Sequence, residues 1–167
     1  GMLFPLWLLL AGLLSSVIGI VGVKVLARTG KVEPEMLLRL GMLISGVMTL
    51  LGIWVLSRSY MHDLRAFYAA SSGLVAGVVI GLIADFFTSG RPVDAIAASS
   101  ESGAATNIIT GLSVGMRSAT LPMLVLGLTM IFAFKIWGIY GISLSGVGLL
   151  SILGIILSMD AYGPIAD

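Results

Sequence analysis

The feature that most constrains this chain is a series of apolar stretches, each long enough to cross a lipid bilayer. A helix needs about 20 mostly apolar residues to span the hydrocarbon layer, and about five stretches qualify. They are Leu3 to Leu26, Met36 to Leu56, Phe67 to Phe87, Asn107 to Phe134 and Gly138 to Met159. Because a helix satisfies its backbone groups internally, these runs predict an all-α fold, a polytopic transmembrane bundle of about five spanning helices.

The composition agrees with lipid as the main solvent of the chain. Of its 167 residues, 58% are hydrophobic and only 10% are charged, whereas soluble domains average about 25% charged. The net charge of +1 argues against nucleic acid as a partner. The absence of cysteine excludes disulfides and thiolate metal sites. His62 lies in a polar stretch, which predicts a solvated loop residue rather than a metal ligand.

The distribution of lysine and arginine predicts the orientation of the bundle. Polar residues between the runs indicate connections at 27–35, 57–66, 88–106 and 135–137, so alternate connections share one side of the membrane. One side holds Lys24, Arg28, Lys31, Arg39 and Arg91. The other side holds Arg58, Arg65 and Lys135. Because cytoplasmic connections carry the excess of basic residues, the N-terminus is predicted outside and the C-terminus in the cytoplasm.

Glycines spaced four residues apart form ridges on two of the predicted helices. Gly73, Gly77 and Gly81 share one ridge, and Gly111 and Gly115 share another. Small residues let helix backbones approach closely in lipid, where packing drives association. We therefore interpret both ridges as packing surfaces within a bundle rather than as a substrate path.

Two charged residues are expected within the membrane as structural groups. Arg117 lies roughly 15 Å along the fourth helix if that helix begins at Asn107 and rises 1.5 Å per residue. A charge at this depth costs a few kcal/mol on insertion scales, and an earlier helix start would let the side chain snorkel to the interface. We expect Arg117 to face the bundle, and Asp85 is one candidate partner.

Two polar segments contain residue types that can bind ligands. The segment 88–106 is rich in Ser, Ala and Gly but has no GxxxxGK[ST] motif, so the nucleotide-binding reading is rejected. At the C-terminal end, Asp160 and Asp167 are separated by two helical turns and would share one face of a continued helix. Pro164 between them should kink that helix. Acidic oxygens at a cytoplasmic helix end suit Mg²⁺, a hard cation.

Longer strings resemble one family, the membrane-integral, ion-translocating inorganic pyrophosphatases. The string GAATNIITGLSVGMRSATLP at 103–122 resembles the family's GxATNxIxGLxVGMxSxxLP segment, and DAYGPIAD at 160–167 resembles its DAYGPxxDN signature. GIYGISL at 138–144 and GLIADFFTSGRPV at 81–93 also fit family strings. The chain thus resembles an internal portion of such a pump, residues 1–167 forming a single transmembrane fragment.

The resemblance implies a homodimeric enzyme that couples hydrolysis of pyrophosphate at a cytoplasmic site to export of protons or sodium ions. It implies that Asp160 binds the magnesium–pyrophosphate cluster and that Asp167 contributes a further carboxylate. Mg²⁺ would be the cofactor, with K⁺ a further candidate in the full-length pump. The expected partners are membrane lipid, the remaining helices of the same pump, a second subunit and the pyrophosphate substrate.

The chain also departs from the family pattern. The family's substrate-binding lysines and its DNVGD and DxxGDxxKD strings are absent, and no complete catalytic set lies within residues 1–167. We therefore predict that the fragment alone is inactive. Two alternatives stay open on sequence grounds: a non-catalytic scaffold or channel derived from the same helices, and an unrelated small transporter. An unrelated transporter is expected to contain broken helices at matching positions of two related halves, and the sequence does not show them.

Overall fold

The computed structural model describes residues 3–27 and 34–166. It confirms the predicted all-α fold, since the described residues form helices and short connections without a strand. The helices are α1 (Phe4–Ala27), α2 (Pro34–Leu56), α3 (Leu64–Ser89), α4 (Arg91–Ser100), α5 (Ala104–Leu150) and α6 (Leu153–Ala166). A single π-helical turn (Ser57–Met61) lies between α2 and α3.

Four helical stretches in the described part of the chain are long and apolar enough to cross a membrane. They are Phe4–Ala27, Arg39–Met61, Leu64–Ser100 and Ala104–Ser158. The last stretch has 55 residues, far more than the roughly 20 that one crossing needs. It includes the fourth and fifth predicted spans, so the structure agrees with about five spanning segments.

The division of the last stretch lies at Trp137 and Gly138. Trp137 has φ −149° and ψ 28°, and Gly138 has φ 60° and ψ −145°, so neither residue is helical. The conformation of Gly138 is accessible at low cost only to glycine. A methyl group at Gly141 would clash with the carbonyl oxygen of Ala133, although eight residues of straight helix would extend about 12 Å. The chain therefore folds back at this break.

Packing against α1 shows the direction of the segment that follows the break. A methyl group at Gly12 would clash with Ser151, and one at Gly154 would lie 3.2 Å from the Cβ atom of Ser16. Residue numbers therefore rise together along α1 and along 139–158, so the two run parallel. This direction is the one expected of a first and a fifth crossing.

The chain forms two compact units. One comprises the described residues up to Val78 and from Thr129 onward, and the other is Val79–Leu128. The core of the first unit combines large and small side chains from several helices, namely Phe4, Leu8, Met42, Ile53, Ala66, Ala69, Ala70, Leu74, Leu144, Ile152 and Ile155. Its alanines allow close approach of neighbouring backbones, as is usual for helices packed in lipid.

Glycine contacts within the first unit are close enough to exclude a side chain. A methyl group at Gly73 would clash with the carbonyl oxygen of Ser145, and one at Gly148 would clash with that of Ala70. At Gly77 the added methyl group would lie 3.1 Å from the Cδ1 atom of Ile152. Two glycines of the ridge predicted on the third span, Gly73 and Gly77, therefore lie in a helix-packing surface in the structure.

The second unit contains a helix, α4, where the polar residues predict only a connection. Gly90 precedes α4 with φ −105° and ψ −168°, a proline occupies its first turn, and Asp94 lies in that turn. These are ordinary signals for a helix start. Pro92 therefore marks both the end of one helix and the beginning of the next. The Ser99 hydroxyl lies 3.3 Å from the Asn107 Oδ1 atom, which joins α4 to α5.

Candidate functional site

Helix α6 carries the residue that the sequence selects for metal binding, Asp160. Its first turns are held by α1 and α2: Gly154 packs on Ser16, and the Ile155 side chain, 1% exposed, lies 3.6 Å from the Cβ position of Gly41. Asp160 follows Ile155 by five residues, about 7.5 Å along the helix. The backbone of Asp160 is helical, while its side chain lies outside the described part of the structure.

Pro164 does not end α6, which continues to Ala166. Proline has no backbone N–H group, however, so it cannot donate the helical hydrogen bond to the residue four positions earlier. That residue is Asp160, whose carbonyl oxygen therefore lacks its usual donor from within the helix. Asp167, the second acidic candidate, lies outside the described residues.

The donor chemistry of this helix end fits Mg²⁺, because carboxylate and carbonyl oxygens are its preferred protein ligands. The described residues nevertheless bring together no group of three or more His, Cys, Asp or Glu side chains. This chain would contribute one helix end, which carries Asp160, to the candidate site.

Arg117 and Asp85 both lie in the second unit. Helix α5 begins at Ala104, so Arg117 lies 13 residues along it, about 20 Å from its start. Its side chain is exposed, and it has no hydrogen bond or ion pair among the residues that the structure describes. Asp85 is partly exposed. Their expected roles as structural charges within the membrane remain predictions.

The connection between α2 and α3 gathers polar and aromatic groups at one end of the first unit. The guanidinium group of Arg58 lies 5.6 Å from the centre of the Trp54 ring. His62 is exposed and has φ 52°, as suits a residue in a sharp connection. Asp63 accepts a hydrogen bond of 2.9 Å from the backbone N–H of Arg65, and thereby caps α3.

The sequence reasoning missed a set of buried hydroxyls where α1, α2 and α6 meet. The Ser16 side chain is 3% exposed and the Ser45 side chain is 0% exposed. A usable signal was present, because Gly12 and Ser16 are four residues apart, as are Gly41 and Ser45. Small residues at this spacing predict close helix contacts in membranes.

Comparison with known proteins supplies the family. A model of the family described as inorganic H+ pyrophosphatase matches residues 1–167 of the chain. The chain belongs to this family. This membership confirms the resemblance of the strings at 103–122 and 160–167 to the family. The enzyme class expected from these strings, inorganic pyrophosphatase, is that of the family.

The names of relatives within the inorganic H+ pyrophosphatase family specify different ions. A putative K+-stimulated pyrophosphate-energized sodium pump of Clostridium tetani is 39% identical over 100% of this chain and 26% of its own length. A K+-insensitive pyrophosphate-energized proton pump of Methanosarcina mazei is 37% identical over 99% of this chain and 26% of its length. A K+-stimulated sodium pump of Thermotoga maritima is 31% identical. The chain spans about a quarter of the length of these pumps.

Proposed function

We propose that this chain forms about a quarter of a pyrophosphate-energized ion pump and contributes one helix end to its magnesium–pyrophosphate site. The observation that carries the proposal is the family match over residues 1–167. It is supported by the DAYGP string on α6, where Asp160 has a carboxylate and a backbone carbonyl that cannot receive a helical hydrogen bond from Pro164. When bound, magnesium would neutralise charge on pyrophosphate during its hydrolysis.

The chain's own contribution at this site is to hold Asp160 in position. Helix α6 packs through Gly154 and Ile155 against α1 and α2, and these contacts lie within about two turns of Asp160. Such packing fixes the position and direction of the helix backbone. Asp167, seven residues further along, is proposed as an additional carboxylate near the same site.

The role of Asp160 is tested by substitution in the full-length pump. Asp160→Asn keeps the side-chain volume but removes the charge, and we expect phosphate release from magnesium pyrophosphate to fall at least about 100-fold, a loss of roughly 2.7 kcal/mol at the rate-limiting barrier. Asp94→Asn is the matched control, because Asp94 is an exposed acid in α4. Equal activity of the two variants would refute the assignment.

We further propose that the chain has its N-terminus outside and Asp160 on the cytoplasmic side. The absence of cysteine makes this simple to test in intact cells with a membrane-impermeant maleimide. His62→Cys should be labelled from outside, and Glu101→Cys should be labelled only after permeabilisation, since both positions are exposed and lie in connections on opposite predicted sides. The reverse labelling pattern would overturn the proposed orientation.

The remaining helices of the same pump are the proposed neighbours of α5. Its apolar side chains are strongly exposed in the second unit, among them Ile108 (71%), Met116 (69%) and Met123 (70%). Gly111 and Gly115 have open space where a methyl group would be added, unlike the packed glycines of the first unit. Further helices and lipid would cover this face, and a second subunit would complete the homodimer.

We also propose that the 167-residue chain hydrolyses no pyrophosphate by itself. The family's substrate-binding lysines and its DNVGD and DxxGDxxKD strings are absent from its sequence. Phosphate release by the purified chain, supplied with magnesium and pyrophosphate, would contradict this. The relatives named above include K+-stimulated and K+-insensitive pumps, so the full-length assay is run with and without potassium.

A further inference from the structure

Three buried hydroxyls in the described part of the first unit lack any hydrogen-bond partner. Among the described residues, the buried side-chain oxygens without a partner are those of Ser16, Ser45 and Ser57. Ser57 belongs to the π-helical turn, whereas Ser16 and Ser45 lie on α1 and α2 where these helices meet α6. Both are more than nine-tenths buried, at 3% and 0% exposure. A polar group without a partner is costly away from water.

Neighbouring hydroxyls in the same helices do not share this problem. Ser15 donates to the carbonyl oxygen of Ala11 at 2.8 Å, and Thr49 donates to that of Ser45 at 2.8 Å. Such bonds to the preceding turn are the usual solution for serine and threonine in membrane helices. Ser16 and Ser45 therefore differ from Ser15 and Thr49 in that their hydroxyls make no such bond.

The two hydroxyl-bearing residues face a junction built from glycines. A methyl group at Gly154 would lie 3.3 Å from the Ser16 hydroxyl oxygen. One turn further along α1, a methyl group at Gly19 would lie 3.0 Å from the Cβ atom of Ser45 and 3.0 Å from the carbonyl oxygen of Gly41. Because these glycines carry no side chains, the backbones of α1, α2 and α6 approach the two serines closely. All of these residues belong to the first unit.

We propose that Ser16 and Ser45 together hold one buried water molecule at the junction of α1, α2 and α6. Buried waters typically bond two to four otherwise unsatisfied polar groups. The two hydroxyls and the Gly41 carbonyl oxygen, which has a second lone pair, provide three. A site enclosed by helices of this chain is independent of any segment that covers its outer surface, and independent of the proposed pyrophosphate site.

Thermal unfolding of the wild type and three variants in detergent tests the proposal. The variants are Ser16→Ala, Ser45→Ala and the double variant. A shared water predicts that each single substitution lowers Tm by about 2–4 °C, the shift expected of one lost interaction in a chain of this size. The double variant should lose clearly less than the sum, because the water is lost once. Ser15→Ala combined with Ser45→Ala is the control pair and should be additive.

The proposal is refuted if the Tm shifts have the opposite sign or are additive. If no water is present, Ser→Ala removes an unpaired buried hydroxyl and should leave Tm unchanged or raise it. If each serine instead donates to the carbonyl of its own preceding turn, the single shifts should be negative and additive. A density map that resolves ordered water provides a separate test. A peak about 2.6–3.2 Å from both hydroxyl oxygens supports the site, and its absence refutes it.

Discussion

The contact between Gly73 on α3 and Ser145 on α5 provides the sharpest test of the packing in this bundle. An added methyl group at Gly73 would overlap the Ser145 carbonyl oxygen and would lie 2.8 Å from the Ser145 Cα atom. These are backbone atoms, so a change of rotamer cannot relieve the overlap. Gly73→Ala must therefore move the two helices apart.

The expected loss of stability follows from two opposing effects. Overpacking of a tight core costs about 1–3 kcal/mol, and the upper half of this range applies because backbone atoms obstruct the methyl group. Replacing glycine by alanine in a helix gains about 1 kcal/mol of helix propensity. The net destabilisation is therefore about 1–2 kcal/mol, which corresponds to a fall in Tm of about 2–8 °C.

The matched control is Gly146→Ala, one residue after Ser145 on the same helix. Gly146 is exposed, and an added methyl group there meets no atom within 4 Å. This variant receives the gain in helix propensity without the overlap, so its Tm should stay the same or rise. Tryptophan fluorescence during heating in detergent measures both variants. If Gly73→Ala is as stable as Gly146→Ala, the close approach of α3 and α5 is refuted.

Two further predictions concern the connections between helices. Gly138→Ala should lower Tm by several degrees, because φ 60° with ψ −145° costs a residue with a side chain about 1–3 kcal/mol. The control is Gly127→Ala, which should not lower Tm because the structure leaves open space for the added methyl group. Equal Tm values for the two variants would contradict the break at Gly138. Asp63→Ala should destabilise α3 by about 1 kcal/mol through loss of its cap. Asp63→Asn should retain most of that stability, and a loss equal to that of alanine would argue against capping.

The spanning segments could be predicted from sequence because their cause is local. Apolar length alone decides whether a helix can cross the bilayer, and the connection predicted at 135–137 indicated where the fourth and fifth spans separate. Helix α4 could not be found in the same way, because its residues are polar and small, without an apolar run. Its start signals, Gly90 and Pro92, lie within the segment 88–106, for which the polar residues predict only a connection.

The tertiary features could be predicted only in part, because they depend on which helices become neighbours. The spacing of Gly73 and Gly77 indicated a packing ridge but could not name Ser145 as the opposite residue. The spacing of Gly111 and Gly115 is the same, yet these glycines have no neighbour in the described structure. Similarly, nothing in the sequence distinguishes Ser15, which bonds to its own helix, from the unpartnered Ser16. Local pattern specifies a surface, and only the fold specifies its partner.

The helix that carries Asp160 is positioned by residues far earlier in the chain. Gly154 lies six residues before Asp160, about 9 Å along α6, and it packs directly on Ser16. A larger residue at position 154 would push α6 away from α1, and the displacement would reach Asp160 because the intervening helix is continuous. Misplacement of a binding group by about 1 Å can cost about 100-fold in rate. In the proposed pump, a larger residue at position 154 is thus expected to slow pyrophosphate hydrolysis through the position of α6, without contact with the substrate.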